Sequence, residues 1–349
     1  MSRPLACFVP PHVLDQMSRA DDPEIADAAR ATLRTTAQVR GRRLRTRPRI
    51  DGATVGAQRR VFDCRNVDNI DGAILVRIED QAPIGDTSAN RAFDALGLVR
   101  DFLREVFHRD SVDGAGLELK AYVHFASQFN NAGWDGSVIK IGDGDGKVMR
   151  DLTYGIDVVA HELAHGVTAN TANFEYRGQP GALDESIADV VGTLVRQWSL
   201  DQSVDEADWL LGGAIFTPGI ELDAMRSMKA PGTAYDNKLV GKDPQPSHMR
   251  DFMVLPETED RDLGGVHINS GIPNHAFYLT ATAFGGHAWE KAGRIWYRAL
   301  LSSTPTTQFA DFASFTATAG AEMFGRASSE WSAVVNSWHA AGIDVESRQ

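Results

Sequence analysis

The sequence predicts an α+β fold in two domains, and three observations predict it. At 349 residues the chain exceeds what one small core needs and is long enough for two domains, each burying its own interior. Between residues 51 and about 150, short apolar runs alternate with Asn, Asp and Gly turns, the pattern of strands. From Asp151 onward, apolar residues recur with helical spacing, so the second half reads as mainly helical.

Taken in order, residues 12 to 39 read as one polar helix, with Asp and Glu early and Arg late. "RGRRLRTRPR" then packs six Arg into residues 40–49 and reads as a solvated, protease-accessible linker rather than a nucleic-acid or membrane patch. "RRVFDCRN", "GAILVRIED", "LELKAYVHF" and "GSVIKIGDG" are the strand candidates, while "NRAFDALGLVRDFLREVF" keeps a helical period. "GIDVVAHELAHGVTAN" is the next helix. After a Gly/Pro loop, "RGQPG", the segment "ALDESIADVVGTLVRQW" continues as another. The expected division is an N-terminal segment over 1–50, a mixed domain over 51–176 ending in the His-bearing helix, and a helical domain over 177–349.

Composition bounds the function. With 43% hydrophobic and 23% charged residues, disorder, collagen and coiled coil are excluded. The net charge of −12 is uneven: residues 1–50 hold ten Arg against five acidic side chains, whereas 51–349 hold 25 basic against 42 acidic ones. An acidic body argues against nucleic acid as partner. No stretch reads as a membrane span, because Ser270 to Trp289, a long run without charge, contains Pro273, Asn274, His275 and His287. The N-terminus lacks the apolar core of a Sec-type signal peptide. Two cysteines, Cys7 and Cys64, cannot build a disulfide framework. Synthesis in the cytoplasm is expected, with export by another route left open, and the chain is expected to act as a monomer.

The chemistry concentrates in "HELAH". A helix places His161 and His165 one turn apart on one face, two ligands at close to the separation zinc needs. Glu162 stands beside them as a carboxylate able to take a proton from a bound water. A third ligand is required, and Glu185 is the candidate on the following helix. Asp189, one turn on, is placed to accept the second ring N–H of a ligand histidine. Taken singly, Glu185 and Asp189 are more often a solvated face. The combination reverses those odds.

With "VVAHELAHGVT", "GALDESIADVVGTLV", "NNAGWDG", "MRSM", "GKDPQPSHM" and "GGVHINSGIPNHAFYL" in this order, the chain resembles the thermolysin family of zinc metallopeptidases, and most closely its protealysin-like branch. The resemblance implies a β-rich N-terminal domain and a mainly α-helical C-terminal domain, with the zinc helix between them at the floor of a cleft. It implies one catalytic zinc on His161, His165 and Glu185, with Glu162 as general base. His267 and Tyr176 match the two oxyanion donors, and Asp262 the carboxylate that orients that histidine. Outside the resemblance, a buried histidine and a core aromatic are the plainer readings of His267 and Tyr176. Asn131 and Ala132 match the strand edge that holds substrate backbone, and Arg226 the arginine that contacts the carbonyl after the cleaved bond. Met149, Leu152, Val158, Leu211 and Met225 fall where the family lines its S1′ pocket, which implies cleavage before hydrophobic residues.

Some positions depart from the family. Gly133 stands where an aromatic residue is usual in "NNA-x-W". Of the paired calcium site Asp157 and Asp208 match, but Arg196, Leu210 and Gly213 replace acidic residues, so the double site is expected to be lost. A single weaker calcium site there, or one near Thr217, Ile220 and Asp223, stays open. "GDGDG" at 142–146 reads as a Gly/Asp turn rather than a calcium loop. "CFVPPHVL" resembles the Pro-Pro-x-x-Leu element of protealysin-like pro-segments, which implies that Pro10, Pro11 and Leu14 belong to an intramolecular inhibitor of a latent precursor. Cys7 is either a fourth zinc ligand or, by default, an apolar contact.

Two other functions compete. A zinc aminopeptidase shares the ligand set, but that group places 18 residues between the second histidine and the glutamate, where this chain has 19. A catalytically silent peptide-binding protein has no chemical need for Glu162, Tyr176 and His267 together.

Overall fold

The computed structural model describes residues 6–41 and 57–345. The Arg-rich linker expected at 40–49 therefore lies, from residue 42 on, outside the described residues. The chain opens with strand β1 (Ala6–Cys7) and helices α1 (Pro11–Met17) and α2 (Pro23–Gly41). The single helix expected over 12–39 is thus broken at Ser18–Asp22. Pro23 lacks the N–H that a continuous helix would use, and Asp22 accepts from the Glu24 N–H at 2.9 Å, so a new helix starts there.

Next come β2 (Arg59–Asp63), β3 (Ile74–Ile78), α3 (Thr87–Phe107), β4 (Leu119–Val123), β5 (Ala132–Trp134), β6 (Ile139–Ile141) and α4 (Ile156–Ala169). All four expected strands form, and β1 and β5 are additional. They build one six-stranded sheet in the order β1-β5-β6-β4-β2-β3. Strands β2, β4 and β6 run parallel, and the remaining pairs run antiparallel. Helix α3 packs against β2, β3 and β4. Its start is fixed by Asp86, whose carboxylate accepts from the N–H groups of Ser88 and Ala89.

Register puts side chains in rows. Val61, Ala121 and Ile139 share one buried row. Phe62, Tyr122, Lys140, Gly133 and Cys7 share the opposite one, with Phe62 stacked on Tyr122 at 4.7 Å. That second row brings Cys7 to an apolar cluster with Val39, Cys64, Phe125, Ala126 and Phe129.

The rest of the chain is α5 (Gly178–Ser199), two short hairpin pairs, β7 (Leu210–Leu211) with β8 (Arg226–Ser227) and β9 (Asp236–Asn237) with β10 (Gly241–Lys242), then α6 (Asp262–Asn269), α7 (Gly271–Phe284), α8 (Ala292–Ser302), α9 (Phe309–Phe324) and α10 (Ser329–Ala340). The "RGQPG" loop expected at 177–181 is instead helical from Gly178. Pro180 falls in the first turn, where N–H groups have no intrahelical partner to lose.

Two compact units result. The first comprises residues 1–167, 212–225 and 236–241 and holds the sheet with α1 to α3 and most of α4. The second comprises 168–211, 226–235 and 242–349. Its centre is α5, buried on every side from Pro180 to Val195 and packed against α6, α7, α8 and α9. Stacked Trp296 and Trp338, with Phe277 and Phe312 edge-on, fill the space between its later helices. Among the described residues, no helix is long and apolar enough to cross a membrane.

Candidate active site

Helix α4 carries His161, Glu162 and His165, all fully buried. Four-residue spacing turns both imidazoles to one side, with ring centroids 4.8 Å apart and planes at 87°. Their Nε2 atoms stand 3.2 Å from each other. Two ligands about 2.0–2.1 Å from a tetrahedral zinc lie about 3.3 Å apart, so this pair has the spacing of two ligands facing one ion. Glu162 projects toward the sheet, where its Oε2 accepts from the Trp134 N–H at 2.8 Å.

Glu185 completes the donor set. One ligand atom each from His161, His165 and Glu185 all lie within 4.8 Å of one another, and all three residues are buried. Two neutral imidazoles and a carboxylate are a usual catalytic-zinc set, which leaves a position for water. The residues present therefore fit the metal. Burial also settles the plainer reading of Glu185 and Asp189 as a solvated face: they are 1% and 0% exposed.

Further groups converge on Glu185. The Tyr176 hydroxyl donates to its Oε1, and His267 Nε2 stands 3.5 Å from its Oε2. His267 is held from behind by Asp262, whose carboxylate meets Nδ1 at 2.5 Å and accepts the His267 backbone N–H at 2.9 Å. This double hold depends on a tight left-handed run, Leu263, Gly264 and Gly265 with φ of 50°, 90° and 77°, that folds Asp262 back over the start of the helix. Burial disfavours a charged His267, but the Asp262 and Glu185 carboxylates outweigh it and raise its pKa.

Asp189 forms a bidentate pair with Arg226, Nε to Oδ2 and Nη2 to Oδ1, both at 2.8 Å. Asn274 adds a hydrogen bond at 2.9 Å. Arg226 is itself 2% exposed.

Asn131 and Ala132 lie at the β5 edge, and β1 occupies it. β1 pairs antiparallel with β5, Cys7 opposite Gly133. The Phe8 N–H donates to the Ala132 carbonyl at 3.2 Å. Asn131 receives the Val9 N–H at 2.9 Å and donates to the Val9 carbonyl at 3.1 Å. The fully buried Phe8 ring stands edge-on to His161 at 5.2 Å. It crowds Gly212 (φ 72°), where a Cβ would come 2.6 Å from it and 3.1 Å from Met225. Beyond it, Pro10 and Pro11 begin α1, and Leu14 is buried. Cys7 belongs to the apolar cluster of Phe125 and Phe129 and is not in the three-residue metal group.

Met149, Leu152, Val158, Leu211 and Met225 are all buried. At the calcium positions, Asp157 is buried and accepts the Gly212 N–H at 2.7 Å and the Val158 N–H at 3.1 Å. Asp208 pairs with both terminal nitrogens of Arg196 at 2.8 and 2.7 Å, and Arg196 also donates to the Leu210 carbonyl. Thr217 donates to the Lys147 carbonyl, and the Ile220 N–H to the Thr217 carbonyl. Asp223 approaches Gly213 through its backbone carbonyl. In "GDGDG", Asp145 accepts three backbone N–H groups, those of Lys147, Val148 and Met149, as a turn does.

Phe8, Gln245 and Asn274 were not singled out from the sequence. Phe8 is one apolar residue in a Pro-rich stretch, and Gln245 and Asn274 lie within "GKDPQPSHM" and "GGVHINSGIPNHAFYL" with no spacing that marks them.

Comparison with known proteins agrees with this geometry. Residues 29–169 match the family model described as thermolysin metallopeptidase, catalytic domain, and 172–343 match its alpha-helical domain. The chain is 41% identical over 347 residues to an extracellular metalloprotease of Pectobacterium carotovorum subsp. carotovorum, covering 99% of this chain and 98% of that protein. It is 35% identical over 291 residues to a thermolysin of Bacillus sp. (strain EA1), covering 81% of this chain and 50% of that protein. A solved structure, the precursor of protealysin, a metalloproteinase from Serratia proteamaculans, superposes with a TM-score of 0.86 at 41% identity, covering 97% of this chain and 99% of that one. The chain belongs to the thermolysin family and is a zinc metalloendopeptidase.

Proposed function

We propose that this endopeptidase cleaves before hydrophobic residues and is made as a latent precursor whose residues 1 to about 50 cover the substrate site. The observation that carries this reading is the pairing of β1 with β5. Ala6 to Val9 take the hydrogen bonds that an extended substrate would take from Asn131 and Ala132, with Phe8 against His161 and close over Gly212. An aromatic side chain seated there supports a preference for hydrophobic residues after the cleaved bond.

The chain's residues divide the reaction among them. Zinc, when bound on His161, His165 and Glu185, polarises the attacked carbonyl and lowers the pKa of water. Glu162, aimed by the Trp134 N–H, takes the proton from water and passes it to the leaving amine. Asp262 fixes the His267 ring, so its Nε2–H, with the Tyr176 hydroxyl, donates to the developing oxyanion. Asp189 keeps Arg226 oriented toward the carbonyl after the cleaved bond. Among the inhibitory residues, Pro10, Pro11 and Leu14 dock the segment, and Cys7 serves as an apolar contact. Calcium is not held in pairs, because the Arg196 guanidinium takes Asp208.

The test uses internally quenched peptides with Phe or Leu after the expected cut, before and after limited proteolysis near residue 50. Cleavage should rise on proteolysis, stop with a zinc chelator, and be absent in Glu162→Ala. Chelator-resistant cleavage would sink the mechanism; full activity of the uncut chain would sink the latency.

A further inference from the structure

"GKDPQPSHM" has no part in the mechanism above, yet its middle residue touches the backbone of a mechanistic one. Gln245 is 5% exposed. Its Nε2 donates to the His267 carbonyl at 2.8 Å and reaches the Ser270 Oγ at 3.1 Å. Ser270 Oγ donates to the same carbonyl at 2.9 Å. A carbonyl can only accept, so the amide nitrogen, and not the oxygen, must face it.

Gln245 is in turn fixed by its own backbone. Asp243 accepts the Gln245 N–H at 3.0 Å and, through its other oxygen, the N–H groups of Gly232 and Ala234 at 3.0 and 3.2 Å. Gly271, the first residue of α7, lies so close that a Cβ would come 2.6 Å from the Pro246 carbonyl and 3.0 Å from the Gln245 Cβ. The turn 243–246 is therefore wedged at the junction of α6 and α7.

His267 needs such a support. Its helix is short and opens with four left-handed residues, Asp262 to Gly265, so the first turn lacks the regular backbone that normally aims a side chain. Asp262 holds the ring and the N–H from one side; the carbonyl is held from the other by Gln245 and Ser270.

We propose that Gln245 is a positioning residue for His267: its amide pins the His267 carbonyl and so sets the aim of the imidazole toward the oxyanion. This rests on the reading of His267 as an oxyanion donor. The Gln245 amide nitrogen meets the His267 carbonyl and the Ser270 hydroxyl that holds the same carbonyl, so its effect passes through His267.

Gln245→Glu keeps the shape and, when ionised, removes the donor. In the full chain activated by cleavage near residue 50, it should lower kcat about tenfold with KM within about twofold. Zinc content, read by metal analysis, should be unchanged. In a His267→Ala background the same change should lower kcat no further, since the group it aims is gone. A fall that repeats in full in that background, a loss confined to KM, or an unchanged kcat overturns the proposal. If Gln245→Glu does not fold, Ser270→Ala, which removes the other donor to the same carbonyl, decides by the same cycle. His267→Ala with undiminished kcat would instead overturn the reading of His267 itself, and is seen without any change at Gln245.

Discussion

Two Asp–Arg pairs in this molecule have nearly the same geometry and opposite surroundings. Asp189 and Arg226 meet at 2.8 Å with side chains 0% and 2% exposed; Asp208 and Arg196 meet at 2.7 Å with side chains 46% and 30% exposed. The first sits on the helix that supplies Glu185. The second stands where relatives are expected to hold calcium. Hydrogen-bond length does not distinguish them, so the difference in what they do must come from burial.

The largest expected effect is at the buried pair. Asp189→Ala strands the Arg226 guanidinium in the interior and should cost about 3–5 kcal/mol of unfolding free energy, read from denaturant midpoints. Replacing both partners by apolar residues should recover most of that loss, while peptide cleavage stays impaired because Arg226 is gone.

A third site lies between the two extremes. His124 bridges Asp143 and Asp86 at 2.8 and 3.1 Å, with its side chain 23% exposed. The hydrogen bond to Asp143 is the leading cause that lifts its pKa to about 9, against the opposing effect of burial. A folded pKa raised above the unfolded value of about 6.5 means that the stabilisation is full below pH 6.5 and is lost as pH rises through 9. Relative to His124→Asn, the wild-type chain should lose on the order of 1–2 kcal/mol across that window, after discounting for solvent.

The smallest effect belongs to the exposed pair. Arg196→Gln should change stability by less than about 1 kcal/mol, and a calcium-selective chelator should leave the wild-type melting temperature unchanged. A drop of several degrees with that chelator would show that calcium is held despite Arg196.

The same contrast explains what could be read from the sequence. His161, Glu162, His165 and Glu185 were legible because helical spacing alone fixes the relation of two of them, and the motif order supplied the others. The four sheet strands were legible from alternation. The break at Ser18–Asp22 and the helical "RGQPG" were not, since each turns on one proline falling at a helix start rather than inside it. The support for His267 was hidden for another reason. Gln245 and Ser270 act on a backbone carbonyl 22 and 3 residues away, and no side-chain pattern announces a contact to backbone. Phe8 was missed because its meaning lies in what it touches, His161 and Gly212, both far along the chain.

The measurement that bears most directly on the central claim is zinc content together with peptide turnover in three forms of the activated chain. Wild type and Glu162→Ala should each hold one zinc per chain, with turnover lower by about a thousandfold or more in Glu162→Ala. Glu185→Ala should lose both the metal and the activity. A Glu162→Ala chain that still cleaves at the wild-type rate, or a Glu185→Ala chain that keeps its zinc and its turnover, would contradict the account.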